Sequence, residues 1–329
     1  MPGRVLTCGY RSGDFTDAVL AKDPAIHVFD AYHADAVKAK WGRGAVCSPH
    51  LPEGPFSEVY LKAGPKLMSA ELLLSLLQEA YQALEEGGVM HVTFEGTESD
   101  ALASLGKVFK RVKKVKGDKH TVWLEARREG ELKRVRDFSC EWTASVPGGE
   151  PLAFTSYPGC FCHRRVDEGG LALAETVCAR EAAGKGAPNI LDMGCGCGLV
   201  GLLVADAMRR AGRGYSLTMI DSHARAVEAA EENSRKFGLE SEIVLSAKGI
   251  PRNRAHLGQY DVFVGNPPYY SDYRIADVFL QTAWAALKPG GRCYTVVKTA
   301  TGLLPLQEKY FRRADVVSRR NYAVLVSVR

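Results

Sequence analysis

The sequence predicts two tandem alternating β/α domains, the first a degenerate copy of the second. Three observations carry this. Short motifs recur in the same order in both halves of the chain. In the second half, apolar runs of strand length alternate with amphipathic stretches of helix length, the pattern of a parallel sheet covered on both faces. The chain has 329 residues, enough for two domains of ordinary size.

The repeats define the elements. Arg4–Gly9 (RVLTCG) matches Asn189–Gly194 (NILDMG), a strand running into a glycine. His27–Val37 (HVFDAYHADAV) matches Thr218–Val227 (TMIDSHARAV), each read as a strand ending in an acid, so that Asp30 is aligned with Asp221. Gln78–Gly88 (QEAYQALEEGG) matches Gln281–Gly291 (QTAWAALKPGG), the end of a helix, a turn and the next strand. Self-similarity in this order indicates duplication of one β/α unit. The second copy reads clearly: strand NILDMG, a helix from about residue 199 to 210, strand YSLTMID, a helix from about 224 to 237 and strand EIVLS. Strand YDVFVG, helix IADVFLQTAWAAL and strands RCYTVVK and YAVLVSVR complete it. Residues 129–157 break the alternation and are expected to be a linker. The expected domains are therefore 1–128 and 158–329.

Composition narrows the function classes. Hydrophobic residues make up 46% and charged residues 25%, as in a globular chain. No uncharged apolar run approaches membrane-spanning length. MPGRVLTCGYRSGDF has no apolar signal core, so a cytoplasmic location is expected. The cysteine count is nine, and none lies in CxxC, which argues for reduced thiols rather than a disulfide framework. The Cys160/Cys162 and Cys195/Cys197 pairs are not expected to bind metal, because the second lies inside a glycine loop. A net charge of +5 permits a nucleic-acid partner without requiring one.

Asp192-Met193-Gly194-Cys195-Gly196-Cys197-Gly198 ends the first strand of copy two. Glycines at this spacing let the backbone turn tightly and pass close to a ligand. An acid, Asp192, precedes them, and a second, Asp221, ends the next strand, where a carboxylate can accept ribose hydroxyls. The fourth strand runs into Gly265-Asn266-Pro267-Pro268-Tyr269. An amino group conjugated to a ring is a weak nucleophile, because its lone pair is delocalised. The Asn266 side-chain oxygen and the Pro267 carbonyl can each accept one of its N–H groups, the prolines stiffen the turn, and Tyr269 offers a flat face for an unstacked base.

These residues resemble the class I S-adenosylmethionine-dependent methyltransferases, with their Rossmann-like fold. The resemblance implies that Gly194, Gly196 and Gly198 pass under the methionine part, with Asp192 and Cys195 in the same cofactor loop. It implies that Asp221 holds the ribose and Ser222 lies beside the adenine. Ser246-Ala247-Lys248 carries no acid where many of these enzymes have one. Copy one lacks the glycine pattern and reads Lys62-Ala63-Gly64-Pro65 where copy two is taken to read Gly265-Asn266-Pro267-Pro268, so it is expected to bind or scaffold, and copy two to be catalytic.

A degenerate domain before an active one is similar to the ribosomal RNA guanine-N2 methyltransferases. Tyr157-Pro158-Gly159-Cys160-Phe161-Cys162, followed by Asp167 and Gly169, resembles their PGxFS…LDxG segment. By that resemblance Phe161, with Tyr269, is substrate-binding, and Asp167 and Gly169 lie near the cofactor. Core packing is the equal alternative for Phe161. Tyr269 and Cys162 stand where those enzymes usually have Phe and Ser. The resemblance of the motif alone leaves open adenine N6, cytosine N4, guanine N2 and a glutamine amide; guanine N2 of ribosomal RNA is expected, with adenine-N6 methylation of RNA, glutamine methylation of a protein and an inactive cofactor- or RNA-binding module as the alternatives. The basic run Lys107–His120 reads either as an RNA patch or as a solvated face.

Overall fold

A computed structural model describes residues 3–9, 17–250, 256–268 and 273–329. The chain divides into two compact units, Met1–Ser139 and Cys140–Arg329. Among the described residues no helix is long and apolar enough to cross a membrane.

The first unit runs β1 (Val5–Cys8), α1 (Asp17–Leu20), β2 (Ala25–Val28), α2 (Ala31–Trp41), β3 (Val46–Cys47), β4 (Phe56–Ala63) and α3 (Ala70–Ala83). It continues with β5 (Leu84–Glu95), α4 (Glu98–Leu105), β6 (Val112–Gly117) and β7 (Thr121–Arg127). The second unit begins with β8 (Cys140–Ala144) and β9 (Leu152–Ser156), followed by α5 (Glu168–Glu181), β10 (Asn189–Met193), α6 (Leu199–Arg210), β11 (Ser216–Asp221) and α7 (Ala224–Phe237). It ends with β12 (Glu242–Leu245), β13 (Tyr260–Gly265), α8 (Arg274–Ala286), β14 (Leu287–Val297), α9 (Ala300–Phe311), β15 (Asp315–Arg319) and β16 (Tyr322–Val328).

Each unit holds a seven-stranded sheet, ordered β3-β2-β1-β4-β5-β7-β6 and β12-β11-β10-β13-β14-β16-β15. The duplication and the mixed α/β class are thus present strand for strand. In the second sheet alternate residues face opposite cores: Ile190, Val262 and Val264 join helices α5, α6 and α7, while Leu191 and Phe263 join α8 and α9. Burial on both faces is why these strands read as continuous apolar runs. The last pairings, β14 with β16 and β16 with β15, are antiparallel.

Strand register corrects two correspondences. Thr7 pairs with Tyr60 and Asp192 with Val264, which equates Tyr60 with Val264 and Lys62, not Ala63, with Asn266. Thr7 pairs with Ile26 and Asp192 with Met219, which equates Val28, not Asp30, with Asp221. Asp30 instead precedes α2 as its N-cap, the place His223 holds before α7. Matching by residue type aligned two acids that serve different ends. Copy one therefore has a valine where copy two has its strand-end acid.

The segment 129–157 divides between the units. Its first part stays with the first unit: Tyr81 donates to the Glu129 carbonyl at 2.9 Å, and Gln78 exchanges two hydrogen bonds with the Arg136 backbone. From Cys140 on it is an antiparallel hairpin of the second unit. Phe154 is fully buried between Trp142, stacked at 5.2 Å, and Phe237. A two-stranded hairpin inserted into a β/α alternation has no counterpart in the repeat, which is why it read as a linker.

Candidate active site

The strand order of the second sheet reverses between β10 and β13, and in open α/β sheets ligands bind beyond the carboxyl ends at such a point. The glycine loop leaves β10 here. Gly194, Gly196 and Gly198 have φ of 71°, 56° and 88°, a region that glycine enters without penalty. They are not equivalent. A Cβ on Gly194 would lie 2.7 Å from the Phe279 ring, and one on Gly198 would lie 2.8 Å from Leu202, whereas one on Gly196 would meet nothing within 4 Å. Two glycines permit packing, and the middle one borders open space that a ligand can approach.

Asp221 at the end of β11 fixes this loop. Its Oδ2 accepts the Gly196 N–H at 2.9 Å and its Oδ1 accepts the His223 N–H at 2.9 Å. Asp192 is built differently. It is 2% exposed, and its Oδ2 accepts the Gly201 N–H in the first turn of α6 at 2.8 Å. Burial pushes its carboxyl up to about 7, against the pull of the Gly201 N–H and with a smaller push from the Asp221 charge. Asp192 joins strand to helix beneath the loop. Cys195 is buried in the apolar core, and burial drives its thiol well above the ordinary range, so the backbone is what this residue offers at the loop surface. Ser222 is half-buried beside Asp221. Beyond β12, Ser246 donates its N–H to the Asp221 carbonyl at 2.9 Å and its hydroxyl to Gly249 at 2.7 Å, in place of an acid.

Asn266 follows the last residue of β13, with Pro267 buried and Pro268 half-buried. Its Nδ2 donates to Asp167 Oδ2 at 2.8 Å. Asp167 is the N-cap of α5, and its other oxygen accepts the Gly169 N–H at 3.0 Å. The sequence-predicted residues Asp167, Gly169 and Asn266 thus converge on one cluster. Tyr269 lies outside the described residues. Phe161 is 68% exposed, which removes the core-packing alternative. It follows Gly159 and precedes Cys162 and Arg164, all with positive φ.

Two buried residues of α7 went unread in the sequence. Asn233 accepts the Thr155 N–H at 2.8 Å and donates to the Thr155 carbonyl and the Cys197 carbonyl, each at 2.9 Å. Arg225 donates to the Pro158 carbonyl at 3.1 Å. They tie the segment before α5 to the glycine loop. The available signal was an asparagine and an arginine on the alanine-rich stripe ARAVEAAEEN, where polar residues need partners.

The family model described as the methyltransferase small domain matches residues 151–326, more than half of the chain. The chain belongs to the methyltransferase small domain family. Among curated members, a "Ribosomal RNA small subunit methyltransferase C" from Pseudomonas aeruginosa is 31% identical over 165 residues, covering 48% of this chain and 45% of the relative. The chain thus spans about half the length of the first curated relatives it matches. The like-named protein of Aeromonas hydrophila is 25% identical over 331 residues, covering 96% of this chain and 90% of the relative. Among solved structures, a T. thermophilus 16S rRNA N2 methyltransferase in complex with AdoMet and guanosine superposes with a TM-score of 0.83. That match covers 99% of this chain and 88% of the other, at 19% identity, and shows the shared two-domain fold. Within the methyltransferase small domain, the cluster of glycine loop, Asp221 and Asn266 falls wholly inside the matched residues.

Proposed function

We propose that this chain transfers a methyl group from S-adenosylmethionine to guanine N2 of small-subunit ribosomal RNA. The observation that carries the proposal is the placing of Asn266-Pro267-Pro268 at the end of β13, beside β10 with its open Gly196 and, one strand on, β11 with Asp221. The names of the relatives, the near-complete match to the Aeromonas hydrophila protein among them, supply the RNA and the guanine. The residues fit the cofactor: a carboxylate, Asp221, at the end of the second strand, and a glycine, Gly196, whose missing side chain leaves room. When bound, S-adenosylmethionine supplies an electrophilic methyl. Asn266 Oδ1 and the Pro267 carbonyl each accept one N–H of the guanine amino group and so turn its lone pair out of conjugation. No strong base is needed, because the nitrogen becomes acidic once it carries the methyl group and can release its proton to water. Phe161 offers an exposed ring for stacking.

The first unit has Val28 and Lys62 where the second has Asp221 and Asn266, and Lys62 is paired with Glu95 at 2.8 Å. We assign it to holding RNA rather than cofactor. Its strand β6 carries Lys113, Lys114 and Lys116, all exposed. The test of the reaction is mass-spectrometric nucleoside analysis of ribosomal RNA from cells with and without the gene. Loss of N2-methylguanosine from one small-subunit fragment is expected. An unchanged nucleoside profile would overturn the reading, and loss of N6-methyladenosine would replace the base.

A further inference from the structure

We infer that Asp167 is a positioning residue that decides which end of the Asn266 amide faces the substrate. The inference rests on the proposed amino-group methylation and adds a residue to it. A side-chain amide has two ends of nearly the same shape and opposite hydrogen-bonding character. Amino-group recognition needs the oxygen. An ionised carboxylate only accepts, so the 2.8 Å contact with Asp167 Oδ2 commits Nδ2 to the carboxylate and leaves Oδ1 turned away from it.

Asp167 is itself held. Its Oδ1 accepts the Gly169 N–H, and its charge lies at the positive N-terminus of α5. That helix is anchored on the sheet: Glu181 takes the Tyr294 hydroxyl and Arg292, the latter at 2.6 Å, and Glu175 takes Arg320 at 2.8 Å. Gly170 completes the device. A Cβ there would come within 2.7 Å of Asp167 Oδ2 and 3.3 Å of Leu199, so a side chain would displace the carboxylate from Asn266.

The test is a double-mutant cycle in the full chain. Asp167→Ala should lower kcat on the order of ten- to a hundredfold, the range for a misplaced catalytic contact, and leave the Kd for S-adenosylhomocysteine within about twofold. In an Asn266→Ala background it should add no further loss. Gly170→Ala keeps the carboxylate and favours the helix, yet should lower kcat in the same way. Equal losses from Asp167→Ala in both backgrounds, or a loss confined to cofactor affinity, would overturn the inference. A fully active Asn266→Ala enzyme would instead sink the proposed reaction chemistry. If turnover in the Asn266→Ala background is too slow to measure, the Asn266 side-chain amide signal in 15N NMR decides. A shifted, slowly exchanging proton that vanishes in Asp167→Ala is expected, and an unaltered signal refutes the pairing.

Discussion

Replacing Asp192 by Asn should change how stability depends on pH. The carboxyl is buried, and its pKa stands at about 7 in the folded chain against 3.8 for a free aspartate. Below 3.8 both folded and unfolded states are protonated, and the group contributes no difference. Between 3.8 and 7 the unfolded chain releases its proton while the folded chain keeps it, so stability falls as pH rises. Above about 7 both are ionised and the loss levels off at about 4 kcal/mol. Between pH 5 and pH 8 this group alone therefore removes about 2 to 3 kcal/mol. Asparagine keeps an acceptor for the Gly201 N–H but does not titrate. Its unpaired Nδ2 costs about 1–3 kcal/mol at every pH. The stability of Asp192→Asn relative to wild type should thus rise by about 2 to 3 kcal/mol from pH 5 to pH 8, whatever its offset. Hydrogen-exchange protection of the β10 amides in the full chain reports this for the second unit alone. An unchanged difference between the two pH values would refute the argument from burial.

Asn266→Ala should cut turnover about a hundredfold or more while leaving the urea midpoint near wild type, since Asn266 lies at a strand end rather than in the core. Gly198→Ala should destabilise by about 2 kcal/mol or more, from strain plus the 2.8 Å approach to Leu202, whereas Gly196→Ala should cost about 1 kcal/mol of strain and chiefly weaken S-adenosylhomocysteine binding. Calorimetry and binding titrations separate the two. Asn233→Ala leaves one N–H and two carbonyls without their partner and should cost about 3 kcal/mol in denaturant titrations. Reversing the charge of Lys113, Lys114 and Lys116 should weaken RNA binding and flatten its salt dependence by about 2 in the log–log slope, with unchanged affinity removing the assigned role of β6.

What the sequence by itself determined is the part of this protein that local rules govern. Strands buried on both faces must be apolar along their length, so NILDM and YDVFVG were legible as they stood. Turns at positive φ favour glycine, so the glycine loop was legible too. The acid at Asp221 ends, and the asparagine at Asn266 follows, a strand that could be counted. Register was not legible. Two aspartates in similar strings were aligned by type, and only pairing across the sheet showed that Asp30 caps a helix while Val28 stands where the second copy has Asp221. Contacts between residues far apart in the chain were also beyond reach. Asp167 and Asn266 are 99 residues apart, and Asn233 and Thr155 are 78 apart. Each side chain reads alone as an ordinary polar residue. Its task comes from what the folded sheet and helices bring within 3 Å of it, and that depends on the whole unit rather than on any neighbourhood in the sequence.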